Sequence, residues 1–388
     1  MPPLEGITVL DLSRYLPGLY CSFLLSGLGA KVIHVEPPSE ATDGIAKKQM
    51  PLVLNANKRS IVLNLKHKKG KEIFMRLATG TDVILEHFRP GVTKRLGIDF
   101  NTLIRKINAS LIYCSITGFG QEGPYRDKPG HDINYIGYAG ILGLTGGVNG
   151  PPVIPGIPIA DLSSSMFAAL AILGALQERS KSGKPQYIDI AMLDGMISWL
   201  TFLAASHFAG ADINRGNMLL GGAEPYYGVY RTKDEKYLAV GAIERKFWEN
   251  LCVKLGRKSL IPHQHNAGKK AQIAVSFRNI FRKRDLEDWI KLLGDDCVSP
   301  VYSLEEVFND PHVIKRNLVL ELLHPVLAKP IKVLRNPIRY SDSEIVASKP
   351  GPLPGQDTEE ILGELGYTSG DIKYFEKEGA VQSFPCNR

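Results

Sequence analysis

Short β-branched runs alternate with helical periodicity through the first third of the chain. Strand-like runs fall at 7–13 (ITVLDLS), 31–36 (KVIHVE), 60–65 (SIVLNL), 82–86 (DVILE) and 111–117 (LIYCSIT), with helical segments after Pro17 and near 69–78 and 99–107. That rhythm predicts a parallel α/β sheet. Asp161 then opens an amphipathic stretch, DLSSSMFAALAILGALQERSKSG, with acid at its start and Lys and Gly at its stop, as a helix requires. A strand at 187–192 and an apolar helix at 194–209 follow. Beyond this the pattern changes: 226–241 reads as two alternating runs about a polar KDE turn, an antiparallel hairpin, followed by helices near 245–255, 272–282 and 285–293. The expected organisation is a large α/β domain over 1–190, completed by about 330–388. A linker helix and loop take 191–224, a small α+β domain 225–320, and a return segment 321–388, whose part to 355 is extended and Pro-punctuated.

With 388 residues, 44% hydrophobic and 22% charged, the chain has an ordinary globular composition and length for two or three domains. The 47 Lys plus Arg against 40 Asp plus Glu give +7, which favours an anionic ligand but is too dispersed to indicate nucleic acid. A basic stretch at 254–284, with nine Lys/Arg and no acid, reads as a solvated face, because it lacks interleaved stacking aromatics. Cys21, Cys114, Cys252, Cys297 and Cys386 show no CxxC spacing, so neither a zinc site nor a disulfide framework is expected, and a reducing cytoplasm fits best. The N-terminus lacks the basic and apolar regions of a signal peptide. No membrane span is expected: the longest uncharged stretch, 133–160, has seven Gly and four Pro among 28 residues and reads as a loop-rich wall.

A first strand, a helix and a second strand ending in Glu36 invite a dinucleotide-binding reading, but the glycines refuse it. Where GxGxxG should follow the first strand, the chain has SRYLPGLY. GxxxxGK[ST], HExxH and GxSxG are absent as well.

The run GFGQEGPYRDKPGHDINYIGYAGILGLTGG from Gly118 stands out, with PIADLSSSM around Asp161 and VGAIERKFW around Glu244. With LDLSRYLPGLY, NKRSIVLNLK, HFRPGV, VSPVYSLEEVFNDPHV and PGQDTEEIL, these segments resemble the family III CoA-transferase and racemase superfamily over nearly the whole chain. GHDINY and AIE look like its α-methylacyl-CoA racemase branch. One departure is SSSM after Asp161–Leu162, where such racemases carry a glycine-rich run. The resemblance implies a Rossmann-like parallel-sheet large domain with a smaller α+β domain, in an interlocked homodimer. It also implies an acyl-CoA substrate and an isomerase of lipid metabolism that inverts C2 of 2-methylacyl-CoA thioesters. No cofactor, metal, nucleic acid or membrane partner is expected, CoA being part of the substrate.

Such inversion removes a weakly acidic proton from one face of a planar enolate and returns one to the other, so it needs two groups that each serve as acid and base. His131, of a residue type that titrates at about 6.5, meets this need, and Asp161 does so if its apolar surroundings raise it. By resemblance Glu244 pairs with His131 and stabilises the imidazolium. The backbone N–H of Asp132 is the preferred donor to the enolate oxygen, in a class of contact worth roughly 3–4 kcal/mol, while its side chain is expected to make a capping bond. As residue types alone, His131 also suits a structural loop position, Asp161 an N-cap, and Glu244 a solvated helix start. The resemblance also leaves an acyl-CoA:carboxylate CoA-transferase open, with Asp161 as nucleophile. In the family CoA lies on the first domain, at loops that match Arg14, Tyr15 and Pro17, then Asn57, Lys58 and Arg59, then Arg89 and Gly91. Arg forks suit phosphate oxygens, and Gly91 lets backbone approach a ligand.

Overall fold

The computed structural model describes residues 1–38, 45–343 and 349–384, so Cys386 lies outside the described residues. The chain divides into two compact units, 1–139 with 157–199 and 311–388, and 140–156 with 200–310.

The first unit is built on a seven-stranded sheet. Its strands are β1 (Thr8–Asp11), β2 (Lys31–Glu36), β3 (Arg59–Leu63), β4 (Val83–Glu86), β5 (Ile112–Thr117) and β6 (Gln186–Ala191), with β12 (Val381–Gln382) from the far end of the chain. The order is β12-β3-β2-β1-β4-β5-β6, all parallel except β12, which pairs antiparallel with β3. This is the doubly wound order, in which the chain reverses direction between β1 and β4 and leaves a crevice outside their carboxyl ends. The Rossmann-like expectation therefore holds without the glycine fingerprint.

Helices between the strands are α1 (Leu16–Gly27), α2 (Ile45–Leu54), α3 (Lys68–Thr79), α4 (Val92–Leu96), α5 (Phe100–Lys106), α6 (Asp132–Tyr138), α7 (Ile141–Leu144), α8 (Ile159–Ser182) and α9 (Met192–Trp199); α7 belongs to the second unit. β5 is buried at all six positions, as the continuous run IYCSIT requires of a central parallel strand. One core joins Leu10, Ile33, Ile61, Phe74 and Ile84 to Ile361, Leu362, Phe375 and Val381 of the C-terminal segment.

Among the described helices, α8 alone is long and apolar enough to cross a bilayer by length and composition, a test that the core helix of a soluble protein also passes. It packs on α1, α9, β5 and β6. Its buried face includes Ala168, Ala169 and Ile172, while Met166 and Leu170 are exposed. Residues 133–160 are less irregular than their glycines suggested, since they contain most of α6 and all of α7. The stretch 318–355 holds an antiparallel hairpin of β10 (Val319–His324) and β11 (Lys329–Leu334).

The second unit carries the antiparallel sheet β7 (Tyr227–Arg231), β8 (Tyr237–Gly241) and β9 (Val298–Pro300), covered by helices Arg245–Lys254, Lys270–Phe281 and Leu286–Leu293. Trp248, Phe277, Phe281 and Trp289 fill its core. Both indoles are satisfied there, Trp248 Nε1 donating to Ile261 O and Trp289 Nε1 to Phe281 O. In the basic stretch, Lys254 pairs with Asp296 at 2.6 Å and Lys270 with Glu224 at 3.1 Å, so part of that charge is neutralised locally.

Candidate active site

The reversal between β1 and β4 brings two sequence-predicted loops together. Tyr15, the N-cap of α1, follows β1, and His87 follows β4; their rings meet edge-to-face with centroids 5.5 Å apart. Arg14, Tyr15 and Arg89 are exposed at these loops, whereas Pro17 is buried in the first turn of α1, where its missing N–H is harmless. Gly91 has φ +81 and caps α4, a conformation that glycine adopts readily. A methyl group there would lie 3.6 Å from an Arg95 guanidinium nitrogen and 3.7 Å from one of Arg126. Arg95 and Arg126 thus converge on Gly91, and sequence reasoning missed both. Arg95 was recoverable, since it stands one helical turn after Gly91; Arg126 carried no local signal.

Asn57, Lys58 and Arg59 make contacts within the chain, and of the three only Lys58 is buried. Asp11 is fully buried at the end of β1 and needs a counter-charge, so Lys58 turns inward. Its Nζ lies 3.4 Å from Asp11 Oδ2 and donates to Ser22 Oγ at 2.6 Å, Asn55 Oδ1 at 2.8 Å and Leu19 O at 3.1 Å. Burial pushes the Asp11 carboxyl up, but Lys58, His34 and the Ser13 and Ser22 hydroxyls outweigh it and hold it below the ordinary range. Arg59 ion-pairs with Glu360 at 3.0 Å and Glu364 at 2.9 Å. Asn57, at φ +63, clips the same region to Lys349: its N–H donates to Lys349 O at 3.1 Å, and its Oδ1 accepts from Lys349 N at 3.2 Å.

His131, Asp132 and Asp161 do come together, where α6 meets α8. His131 is the exposed N-cap of α6, and its backbone N–H is fixed by Asn134 Oδ1 at 3.0 Å. Asp132 makes the expected capping bond, but to another helix: its Oδ1 accepts from Ala160 N at 2.6 Å and from Asp161 N at 3.4 Å. Its own N–H sits in the first turn of α6, where the helix offers it no acceptor. Asp161 lies in the first turn of α8, and its carboxyl is pushed up to about 6, first by burial and then by the Asp132 charge, against a lowering by His131. Tyr135, also missed from sequence, fills the space between the backbones of Gly118 and Gly130. A methyl at either glycine would fall 2.4 Å or 2.8 Å from its ring, which explains both glycines of the loop that leads to His131.

Glu244 belongs to the second unit. It is the N-cap of Arg245–Lys254, and its exposed side chain makes no capping bond, so its carboxylate is not committed to that helix. Its charge, after burial, raises the nearby Cys297 thiol. Cys21, Cys114, Cys252 and Cys297 are free thiols. Among the described residues no cluster of three or more His, Cys, Asp or Glu is arranged to hold a metal ion.

The profile of CoA-transferase family III matches residues 4–358. The chain is 34% identical to "Alpha-methylacyl-CoA racemase" from Homo sapiens over 98% of each protein. It is 33% identical to "Succinyl-CoA:glutarate CoA-transferase" from Mus musculus over 100% of this chain and 90% of that protein. Its fold matches the crystal structure of a CAIB/BAIF family protein from Brucella suis with a TM-score of 0.82 and 29% identity, covering 94% of this chain and 99% of that one. Fold, motif residues and relatives agree: the chain belongs to CoA-transferase family III, the group that holds both the CoA-transferases and the racemases.

Proposed function

We propose that this enzyme epimerises C2 of 2-methylacyl-CoA thioesters by 1,1-proton transfer. One base takes the C2 proton as its electron pair moves onto the thioester oxygen; the other returns a proton to the opposite face, and the thioester reforms. His131 and Asp161 are the two bases. The observation that carries the reading is the meeting of His131, Asp132 and Asp161 where α6 joins α8, at which burial and the Asp132 charge push the Asp161 carboxyl up to about 6: a carboxyl so placed both accepts and donates near neutrality. The Asp132 N–H is the donor to the enolate oxygen, and the resemblance assigns Glu244 to stabilising the His131 imidazolium. Arg14, Tyr15, Arg89 and Gly91 receive the CoA moiety at the crevice between β1 and β4. CoA is part of the substrate, and the reaction needs no further cofactor.

The test is deuterium incorporation from solvent into separate (R)- and (S)-2-methylacyl-CoA. His131→Ala and Asp161→Asn should each abolish inversion while losing exchange with opposite stereochemical preference. Glu244→Gln should resemble a weakened His131 variant, with altered pH dependence. Inversion of both epimers at the parent rate by His131→Ala would overturn the reading. The transferase relative keeps a second reading in view, in which Asp161 attacks the thioester; CoA movement to an added carboxylate, stopped by Asp161→Asn but not by His131→Ala, would establish it.

We place the active form in a cytoplasmic homodimer. Individually exposed apolar side chains support self-association, Leu170 on α8 being 67% and Leu323 on β10 70% exposed. Dilution should leave the mass in light scattering at two chains, and a monomeric, active parent protein would refute the dimer.

A further inference from the structure

Three consecutive serines follow Leu162 in α8, and all are buried: Ser163 is 1% exposed, Ser164 and Ser165 0%. Serine hydroxyls inside helices commonly fold back onto a carbonyl three or four residues earlier. Ser163 Oγ does so to Ala160 O at 3.1 Å, and Ser164 Oγ to Asp161 O at 2.9 Å. Ser165 does more. Its hydroxyl lies 2.8 Å from Asp161 O and 2.6 Å from Pro17 O, which belongs to the first turn of α1.

One hydroxyl is thereby shared between the carbonyl of Asp161 and the turn next to Arg14 and Tyr15. Asp161 is held at both ends of its backbone, its N–H facing Asp132 Oδ1 and its carbonyl under the Ser164 and Ser165 hydroxyls. Because Ser165 is shut off from solvent, no water stands ready to replace its bond to Pro17.

We infer that Ser165 is a positioning residue, which fixes the Asp161 carboxyl relative to the loop of Arg14 and Tyr15 and so couples the place where the ligand is gripped to the place where its proton moves. The inference rests on the proposed reading of Asp161 as a base. Neither glycine nor alanine could supply the link, since neither carries a hydroxyl. Small displacements of a base from its proton lower the rate of the chemical step far more than they weaken binding.

Ser165→Ala should lower kcat about five- to ten-fold, as expected for one lost hydrogen bond, with CoA affinity within about two-fold of the parent. The isotope effect with substrate deuterated at C2 should rise, because proton abstraction becomes more fully rate-limiting. Ser163→Ala removes a hydroxyl that bonds Ala160 O within α8 and should change kcat less than about two-fold. A merely structural role would lower thermal stability in both variants and leave the isotope effect unmoved. Should Ser165→Ala not fold, Ser165→Cys, nearly isosteric but a much weaker donor, is read in the same way. Parent kcat and isotope effect in the folded variant, with Asp161→Asn inactive, would overturn the inference alone; an active Asp161→Asn would overturn the reading beneath it.

Discussion

Asp132 caps the helix that carries Asp161, with its Oδ1 2.6 Å from Ala160 N and 3.4 Å from Asp161 N. The same carboxylate acts on Asp161 in two opposed senses. It orients the backbone of its neighbour, and as a like charge it disfavours that neighbour's ionisation, second only to burial.

The two effects separate in Asp132→Asn, which keeps an oxygen acceptor and loses the charge. The Asp161 carboxyl should then fall below about 6. In the direction where Asp161 is the base it must be ionised, so the acid limb of kcat/KM should move to lower pH. In the opposite direction the basic limb should move the same way. Profiles measured from each epimer check this, and limbs that stay or move upward would sink it.

Arg89 stands exposed at the crevice beside Gly91. Arg89→Ala should weaken CoA binding by about 10- to 100-fold in calorimetry, the range for charge-assisted hydrogen bonds, with little change in thermal stability. Arg89→Lys should restore only part, because an ammonium lacks the guanidinium fork. Unchanged affinity in Arg89→Ala would remove the residue from the site.

Lys58 predicts the reverse pattern. Lys58→Met leaves Asp11 buried without its cation and should lower stability by about 3–5 kcal/mol, as removal of one partner of a buried pair does. Denaturant unfolding measures that loss. A variant of parent stability and reduced CoA affinity would return Lys58 to the ligand site.

Glu86, buried at the end of β4, is raised to about 7, chiefly by burial, with the Ser115 and Phe88 hydrogen bonds opposing and the Asp189 charge adding. Its folded pKa lies above the ordinary carboxyl value of about 4.3, so its stabilising effect is complete below that value and is lost as pH rises to about 7. His87, lowered to about 4 mainly by burial, acts in the other sense and removes stability as pH falls below about 6.5. Glu86→Gln should therefore erase up to about 3 kcal/mol of decline between pH 4.3 and 7, seen as the difference from parent in denaturant unfolding at each pH. A variant whose pH dependence parallels the parent would refute the assignment.

The sheet was legible because each of its parallel strands announces itself: LIYCSIT and KVIHVE are continuous apolar or β-branched runs between helical stretches. The meeting of His131, Asp132 and Asp161 followed from a motif, since nothing in local periodicity says that α6 and α8 share an N-terminal junction. The ion pairs of Lys58 and Arg59 within the chain were not legible, because a basic pair in a loop looks solvated. Their partners Asp11, Glu360 and Glu364 are distant in sequence, and burial of a charge is decided by what the fold brings against it. Helix Ser369–Lys377 and β12 carried no expectation, although they complete the same core as β3.

That completion bears on the order of events during synthesis. β3 lies next to the edge of the sheet and is paired on its outer side by Val381 and Gln382, while Asp357 Oδ2 accepts from Ser60 N at 2.7 Å. A ribosome that has released residues 1–199 has made every parallel strand of this sheet, yet β3 still offers its backbone to any passing strand. The nascent first unit must wait through the whole of the second before β12 closes that edge, and for that interval β3 is open to pairing with other chains.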